Sequence, residues 1–269
     1  MRRLILSRKG FDSSSGESAS PIFQDGKIFS LPIPEPYPPS PKKYNELYFN
    51  GISGEDALKE CSTKKVLPED YCHYDPALNT NEGIFGQHFN SQEELANNGV
   101  SVGDLFLFFG FYRNFSLSRK KELHHLFGWL QIGEIISGDV AIRNYLKLKD
   151  IQHPHGYGDL NTYKDNNTIY IGKTNLTIKN KTLMNKGFGL FKETNPDLIL
   201  TRDGESKGSW KLPQKYFSNS EDIFLNRLNW LDLENCFVNN YQRGQEYILD
   251  AEKYPRIIDW AHDLIHKHG

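Results

Sequence analysis

The chain has 269 residues, a formal net charge of −2 and 38% hydrophobic residues. A length of this order suits one large domain with a real core, so we predict a single domain over residues 1–269. The near-neutral charge argues against a protein that holds long nucleic acid by electrostatic attraction alone, because such binding needs many Lys and Arg side chains against phosphates.

Short extended segments open the chain. Residues 4–6 are apolar and predict a buried strand, which ends abruptly in a polar segment at 7–16. Residues 28–34 predict a second extended stretch, which enters a proline-rich loop at 34–41. Because proline has no backbone N–H, this loop belongs outside a sheet or at its edge. Residues 53–61 predict a short helix.

Strands dominate the middle of the chain. Residues 78–91 are rich in Asn and Gly and predict a loop. A capping box that begins at Ser91 predicts a short helix ending near Asn97. Further strands are predicted at 103–110, 126–136, 168–172 and 198–201.

The clearest helix is the last one. Pro255 stands at an N1-like position, and the apolar residues after it recur at helical spacing: Ile257, Ile258, Trp260, Ala261, Leu264 and Ile265. Many strands with few, short helices favour an α+β fold with a strand-rich mixed or antiparallel sheet. A doubly wound α/β sheet would instead alternate strands with longer helices.

The polar segment at 7–16 is the first candidate site. Arg8 and Lys9 can bind phosphate, with the Arg guanidinium suited to a bidentate contact. Asp12 can act as a base or bond a ribose or base edge, and Ser13 can donate to a phosphate oxygen. The segment lacks the Walker pattern of glycines followed by Lys. A solvated loop whose Asp and Ser side chains cap a turn explains the same residues, so both interpretations stay open.

Two histidine-bearing segments are further candidates. His73 lies two residues before Asp75, a combination that suits acid–base chemistry. With His88 they would make three metal ligands, but the spacing is not the tight spacing of a metal motif, so we predict no metal site and assign no cofactor. His155 forms a His-Pro-His segment with His153, in which an extended chain places both rings on one side. Surface histidines in a proline-bearing loop explain that segment too.

Two segments nearer the C-terminus can be interpreted as base contacts. Arg202 and nearby Trp210 could stack on a base, although a core Trp beside a surface turn is the commoner arrangement. Gln245 and Glu246 could bond the edge of a base. A polar strand end explains this second pair equally well.

Taken together, these segments resemble the third type of nucleotide-modification-associated domain, a family of bacterial and phage proteins grouped by association with base-modification systems. The matching stretches are 4–16, 21–22, 31–34, 72–76, 103–110, 127–134, 153–155, 167–170, 200–202, 210–213 and 243–246. The resemblance covers nearly the whole chain and implies a nucleotide or nucleic-acid base as the ligand. It carries over no established reaction and no catalytic residue.

A second resemblance concerns the middle of the chain. Residues 103–108, followed by 128–136, resemble the core strands of the PUA-like fold, a small barrel that reads modified bases. This resemblance implies a PUA-like barrel core within residues 100–175.

We therefore hypothesise an enzyme that modifies or processes a nucleotide or nucleic-acid base, with phosphate held by the N-terminal polar loop. Its candidate catalytic residues are Asp12, Ser13, His73 and Asp75, and its candidate binding residues are Arg8, Lys9, His155, Arg202, Gln245 and Glu246. The alternative is a reader that binds a modified base without chemistry. A third interpretation is a structural or defence-system interaction protein whose polar loops are plain surface.

The cysteines and the apolar runs indicate in which cellular compartment the protein is expected. Three cysteines, none in a CxxC pair, indicate reduced thiols. Residues 1–6 are too few for a signal peptide, and the longest apolar run, 105–111, is too short to cross a bilayer. We therefore expect a cytoplasmic protein with no membrane partner.

Overall fold

A computed structural model describes residues 1–35, 40–117, 121–159, 162–163, 166–179, 181–240 and 244–269. Half of the proline-rich loop predicted at 34–41, residues 36–39, lies outside the described residues, as does Arg243, which belongs to one of the matching stretches.

The predicted α+β class is confirmed, with many strands and few, short helices. The strands are β1 (Arg3–Arg8), β2 (Ser20–Ile22), β3 (Lys42–Lys43), β4 (Tyr48–Phe49), β5 (Ile52–Ser53), β6 (Tyr71–Cys72), β7 (Ile84–Gln87), β8 (Leu105–Asn114), β9 (Glu122–Ser137), β10 (Thr168–Gly172), β11 (Asn175–Ile178), β12 (Lys181–Lys186), β13 (Phe188–Leu190), β14 (Ser209–Lys211), β15 (Trp230–Asp232), β16 (Phe237–Asn239) and β17 (Glu246–Asp250). The helices are α1 (Gly54–Cys61), α2 (Phe89–Asn97), α3 (Asp139–Lys149), α4 (Gln214–Phe217) and α5 (Arg256–His268).

The main sheet is mixed. Its strands follow the order β17–β1–β8–β9–β10–β7, with β2 paired to β8 and β13 paired to β9. β1 runs parallel to β8 and antiparallel to β17, where Ser7 lies opposite Glu246. Because these two strands are antiparallel, the loop that leaves β1 and the loop that enters β17 lie side by side at the same end of the sheet.

Apolar patterning explains the centre and the last helix of the fold. β8 is buried along residues 105–112, as expected for a central strand covered on both faces. The predicted C-terminal helix is confirmed as α5, and its stripe of Ile257, Ala261 and Ile265 is fully buried in the same core as the sheet. Ser53 begins α1 by accepting the backbone N–H of Asp56 at 3.1 Å.

The sheet does not close into the expected PUA-like barrel. Among the described strands, β7 and β17 are the two ends of the main order, and no strand pairing joins them. Side chains bridge the gap instead. The Glu246 carboxylate, 1% exposed, accepts from Gln87 Nε2 at 2.7 Å, from Ser7 Oγ at 3.0 Å and from Lys9 Nζ at 2.9 Å. The sheet is thus curled until its ends touch, but it leaves room there for polar groups.

Two local predictions were wrong, and helix α3 was not predicted. Residues 78–91 are not one loop, because β7 pairs with β10 and α2 begins at Phe89, before the predicted capping box. Residues 198–201 form a short turn and isolated bridges rather than a strand. Helix α3 escaped prediction because only Ile142 and Leu146 are buried on it, which is too narrow a stripe to recognise.

Within the described part of the chain, no helix is long and apolar enough to cross a bilayer.

Glu246 should matter for stability through its charge. Lys9 and Glu246 form an ion pair whose side chains are 11% and 1% exposed. Glu246→Gln keeps an acceptor for Ser7 and Gln87 but leaves Lys9 without its counter-charge, so we expect the free energy of unfolding to fall by about 3 kcal/mol. Urea denaturation measures this loss. Glu252→Gln, which removes an exposed pair with Arg2, is the control and should cost less than about 1 kcal/mol. Equal effects of the two substitutions would contradict the role given to Glu246.

The buried histidines of β9 should make the fold sensitive to acid. Burial lowers the pKa of His124 to about 3 and that of His125 to about 4, from an ordinary value of 6.5. Since the unfolded chain takes up these protons near pH 6.5 and the folded chain does not, stability is lost as the pH falls from 6.5 towards 4. Each histidine contributes a slope of about 1.4 kcal/mol per pH unit.

His125→Gln should therefore lower the slope of the unfolding free energy against pH by about 1.4 kcal/mol per pH unit between pH 4 and 6.5. Denaturant titrations across this range measure the slope. An unchanged slope in His125→Gln would contradict this expectation and show that His125 is protonated in the fold.

Candidate functional site

A polar cavity of about 290 Å³ lies where the ends of the main sheet approach each other. Its walls come from segments that are remote in sequence. The lining residues are Arg8, Lys9, Gly10, Phe11, Asp12, Ser13, Ser14, Ser15, Ile33, His73, Asp75, Gly86, Gln87, His88, Phe111, His124, His155, Lys207 and Gln245. The loop after β1 and the two histidine-bearing segments thus share one cavity, as the enzyme hypothesis requires.

The loop after β1 is ordered by its own side chains. Asp12 Oδ1 accepts the backbone N–H groups of Ser14 and Ser15 at 2.8 and 2.7 Å, and the Ser14 hydroxyl at 2.7 Å. Burial opposes ionisation of Asp12, but these bonds and the Arg8 guanidinium, 3.7 Å away, hold its pKa below the usual value. Gly10 has φ +83°, and a side chain there would press within 2.8 Å of the Leu31 carbonyl oxygen. The loop can therefore turn sharply back along the cavity wall.

Backbone pairing places His73 and Asp75 at the opposite wall. The His73 N–H donates to the Ile33 carbonyl at 2.9 Å, and this pairing sets Glu35 beside His73. Asp75 reaches β7, where its Oδ1 accepts the Gly86 N–H at 2.9 Å. Both contacts join segments that give no sign of each other in the sequence.

Three histidines surround the buried carboxylate of Asp75. His153 Nε2 is 3.2 Å from Asp75 Oδ1, an electrostatic contact without hydrogen-bond alignment. His73 Nε2 and His155 Nε2 are each 3.9 Å from Asp75 Oδ2. Burial alone would raise the pKa of Asp75, but His153, His155 and His73 together lower it to about 2, so Asp75 is ionised at neutral pH.

Burial keeps His88 and His155, like His124, neutral near pH 7. It lowers the pKa of His88 to about 4, and the neighbouring His73 adds to the shift. It also lowers the pKa of His155 well below the usual value, against the opposing pull of Asp75. Neutral imidazoles can accept a proton or bind a cation through their unprotonated nitrogen.

Neighbouring acceptors set which nitrogen of each histidine carries a proton. The Nδ1 atom of His73 bonds the Glu35 carboxylate. The Nδ1 atom of His155 bonds Asn167 Oδ1 at 2.6 Å, while the Asn167 amide nitrogen donates to Asp139 at 2.7 Å. Because a carboxylate and an amide oxygen can only accept, both Nδ1 atoms donate, and both Nε2 atoms are left towards Asp75.

One set of described residues has the geometry to hold a metal ion. The donor atoms of His73, Asp75 and His155 lie within 4.8 Å of one another. The third member is His155 rather than His88, which the sequence had placed with His73 and Asp75. Glu35 and Asn167, which orient the two imidazoles, were not predicted as site residues, because a lone Glu or Asn in a loop carries no pattern.

The remaining predicted residues divide between the cavity and other places. Ser13 and Gln245 line the cavity, and Glu246 lies behind it, bonded to Lys9. Arg202 is outside this lining; it forms an ion pair with Glu205 at 2.9 Å and stacks over Phe237. Lys207, which the sequence did not single out, lines the cavity with its ammonium group 3.8 Å from the centre of the Phe111 ring.

A second cavity of about 190 Å³ adjoins the first, and aromatic side chains form part of its wall. Both cavities have Lys9, Gly10 and Asp75 in their walls. The aromatic residues of the second cavity are Phe29, Tyr48, Phe49, Tyr74, Tyr112, Phe127 and Phe191. Such a surface suits a flat ring, which can stack on aromatic side chains.

Comparison with family models finds a match over residues 3–250, to the model described as nucleotide modification associated domain 3. Comparison with curated proteins and with solved structures finds no match.

Gly86 lies directly against the His155 ring, so a larger residue should not fit at this position. A Cβ atom on Gly86 would overlap the Cδ2 and Nε2 atoms of His155. We expect Gly86→Ala to lower the free energy of unfolding by about 1–3 kcal/mol, the usual cost of overpacking. In the double variant Gly86→Ala/His155→Ala the overlap is gone. The double variant should therefore lose less free energy of unfolding than the two single variants lose together. Denaturant unfolding of all four proteins measures this coupling, and strict additivity would contradict it.

Proposed function

The chain belongs to the nucleotide modification associated domain 3 family, and on that premise we propose that it is an enzyme that modifies a nucleotide or nucleic-acid base in the polar cavity. The observation that carries the proposal is the convergence of the loop after β1, the His73–Asp75 segment, the start of α2 and His155 on one cavity. Surface loops have no reason to bring so many titratable groups together, whereas a reaction centre does.

The phosphate of the ligand is proposed to bind at the loop after β1. Arg8 is about one third exposed, and its ion-pair partner among the described residues, Asp12, is 3.7 Å away, so its guanidinium can turn to a phosphate. Lys9 is less free, because its ammonium group is bonded to Glu246 at 2.9 Å; we assign it to holding the wall. Lys207 supplies a second accessible cation. Ser13 is proposed to donate to a ligand oxygen.

The base of the ligand is proposed to enter the aromatic cavity. That cavity shares Lys9, Gly10 and Asp75 with the polar one, so a nucleotide could span the boundary with its base on one side and its phosphate on the other. Aromatic stacking is tolerant of base identity. The near-neutral charge of the chain favours a nucleotide, or a single displayed base, over a long nucleic-acid tract.

The chemistry is proposed to centre on His73, Asp75 and His155. Their facing atoms can accept a proton or bind a cation. Either role would make these three residues necessary for the reaction. Asp12 is the weaker candidate for a base, because one of its oxygens already accepts three hydrogen bonds within the loop. We therefore assign Asp12 to ordering the phosphate-binding loop.

A reader of modified bases would need the aromatic cavity but not the histidine cluster. An enzyme would convert its ligand to a new product, whereas a reader would bind the ligand unchanged. Nucleotides and base-modified oligonucleotides are incubated with the protein, and their masses are measured. A changed mass supports the enzyme, unchanged mass with measurable binding supports the reader, and the absence of both overturns the proposal.

His73→Ala and Asp75→Asn should each lower product formation by at least about 100-fold, because each removes a group from the reacting centre. Arg202→Ala is the matched control, since Arg202 lies outside the lining of both cavities, and it should retain the wild-type rate. Product formation that survives Asp75→Asn would place the chemistry elsewhere. Circular dichroism of each variant verifies that the fold is retained.

A further inference from the structure

Three electron-pair donors face a common point in the polar cavity. Asp75 Oδ2 is 3.9 Å from His73 Nε2 and 3.9 Å from His155 Nε2. Distances of this length exceed a hydrogen bond, so the three atoms do not satisfy one another directly. Asp75 is 8% exposed and His155 is 2% exposed, which leaves bulk water little access to them. Mutually facing lone pairs in a buried place repel unless a cation or a hydrogen-bond donor stands between them.

The neighbouring bonds prevent the simplest remedy, a change of tautomer. His73 directs its Nδ1 to the Glu35 carboxylate, and His155 directs its Nδ1 to Asn167 Oδ1. Moving either proton to Nε2 would set a ring lone pair against an acceptor oxygen. Asp75 Oδ1 is already engaged with the Gly86 N–H and with His153, so Oδ2 is the oxygen left for the common point.

We propose that this point is a binding site for a divalent transition-metal ion, held by His73 Nε2, Asp75 Oδ2 and His155 Nε2. The inference concerns the same cavity as the proposed function and names the cofactor that the function would use. The sequence predicted no metal, because His155 is 80 residues or more from the other two ligands and forms no motif with them.

The donor set and its surroundings fit such an ion. Two imidazole nitrogens and one carboxylate oxygen suit Zn²⁺, Fe²⁺ or Mn²⁺ better than Mg²⁺ or Ca²⁺, which prefer oxygen throughout. The donor atoms lie within 4.8 Å of one another. Bonds of about 2.0–2.1 Å to a tetrahedral ion would bring them to roughly 3.4 Å apart, so the rings need only move slightly inwards.

The position of the site in the cavity gives the ion access to a ligand. His73, Asp75 and His155 all line the polar cavity, so three protein ligands leave further coordination positions towards it. Water or an oxygen of the nucleotide could occupy those positions. Glu35 and Asn167 are positioning residues in this scheme, because each bonds the far nitrogen of a ligating imidazole, the usual arrangement around bound metal.

The test is a metal titration of the full chain without a histidine tag. The protein is stripped with a chelator and then titrated with Co²⁺ and with Zn²⁺, with binding followed by calorimetry and by the visible absorption of Co²⁺. We expect one tight site per chain, and Mg²⁺ in large excess should not displace the bound ion.

The chain offers a matched control for adventitious binding. His262 and His266 stack one helical turn apart on α5, with ring centroids 5.7 Å apart, and such a surface pair can bind metal weakly by itself. The double variant His262→Ala/His266→Ala should keep the tight site. Loss of all metal binding in this variant, or no binding by the wild-type chain, would overturn the proposal without requiring any change in the cavity.

Substitutions in the cavity then assign the ligands. His155→Ala and Asp75→Asn should weaken binding by at least 100-fold, and Glu35→Ala by about 10–100-fold. Wild-type affinity in His155→Ala would place the ion elsewhere. The two proposals fail separately: a chain that binds no metal yet alters a nucleotide loses only the metal site, and a chain that binds metal but no nucleotide loses only the proposed function.

Discussion

The structure depends on a buried carboxylate at the place where the main sheet fails to close. Glu246, at the start of β17, accepts from side chains of β1 and β7, and it is the ion partner of Lys9 just beyond β1. A charge in such a position is stable only when its partners are present, so the two ends of the sheet are held in one arrangement. Backbone pairing across the gap would have made a closed barrel. Side-chain pairing leaves a space beside it, and the polar cavity occupies that space.

Another buried carboxylate, that of Asp75, organises the loops around this space. The Gly86 N–H holds one of its oxygens, and three histidines from two distant segments lie around it. The contacts of Asp75 with Gly86, His153 and His155 join segments that are distant in sequence. The same feature that gives the loops a unique arrangement therefore also concentrates ionisable groups in a cavity, which connects the stability of this region with its proposed chemistry.

The family match and the two adjoining cavities both bear on the ligand of this site. Membership in the nucleotide modification associated domain 3 family covers residues 3–250, a range that includes every segment that lines the polar cavity. A polar compartment with accessible cations and an aromatic compartment share part of a wall, which matches the two chemically distinct ends of a nucleotide. The family and the geometry both support the proposed class of ligand.

The sequence by itself determined the features that depend on neighbouring residues. The α+β class, the central strand β8, the helix α5 and the polar loop after β1 follow from local apolar spacing and from turn residues, and they were predicted. Tertiary structure decided whatever depends on partners far along the chain. It made a strand of residues 84–87 through pairing with β10, brought His155 to Asp75, set Glu35 and Asn167 behind the imidazoles, and left Arg202 outside the cavity. Hydrophobic periodicity records which face of an element is buried, but it contains no information about which distant loop will satisfy a buried charge.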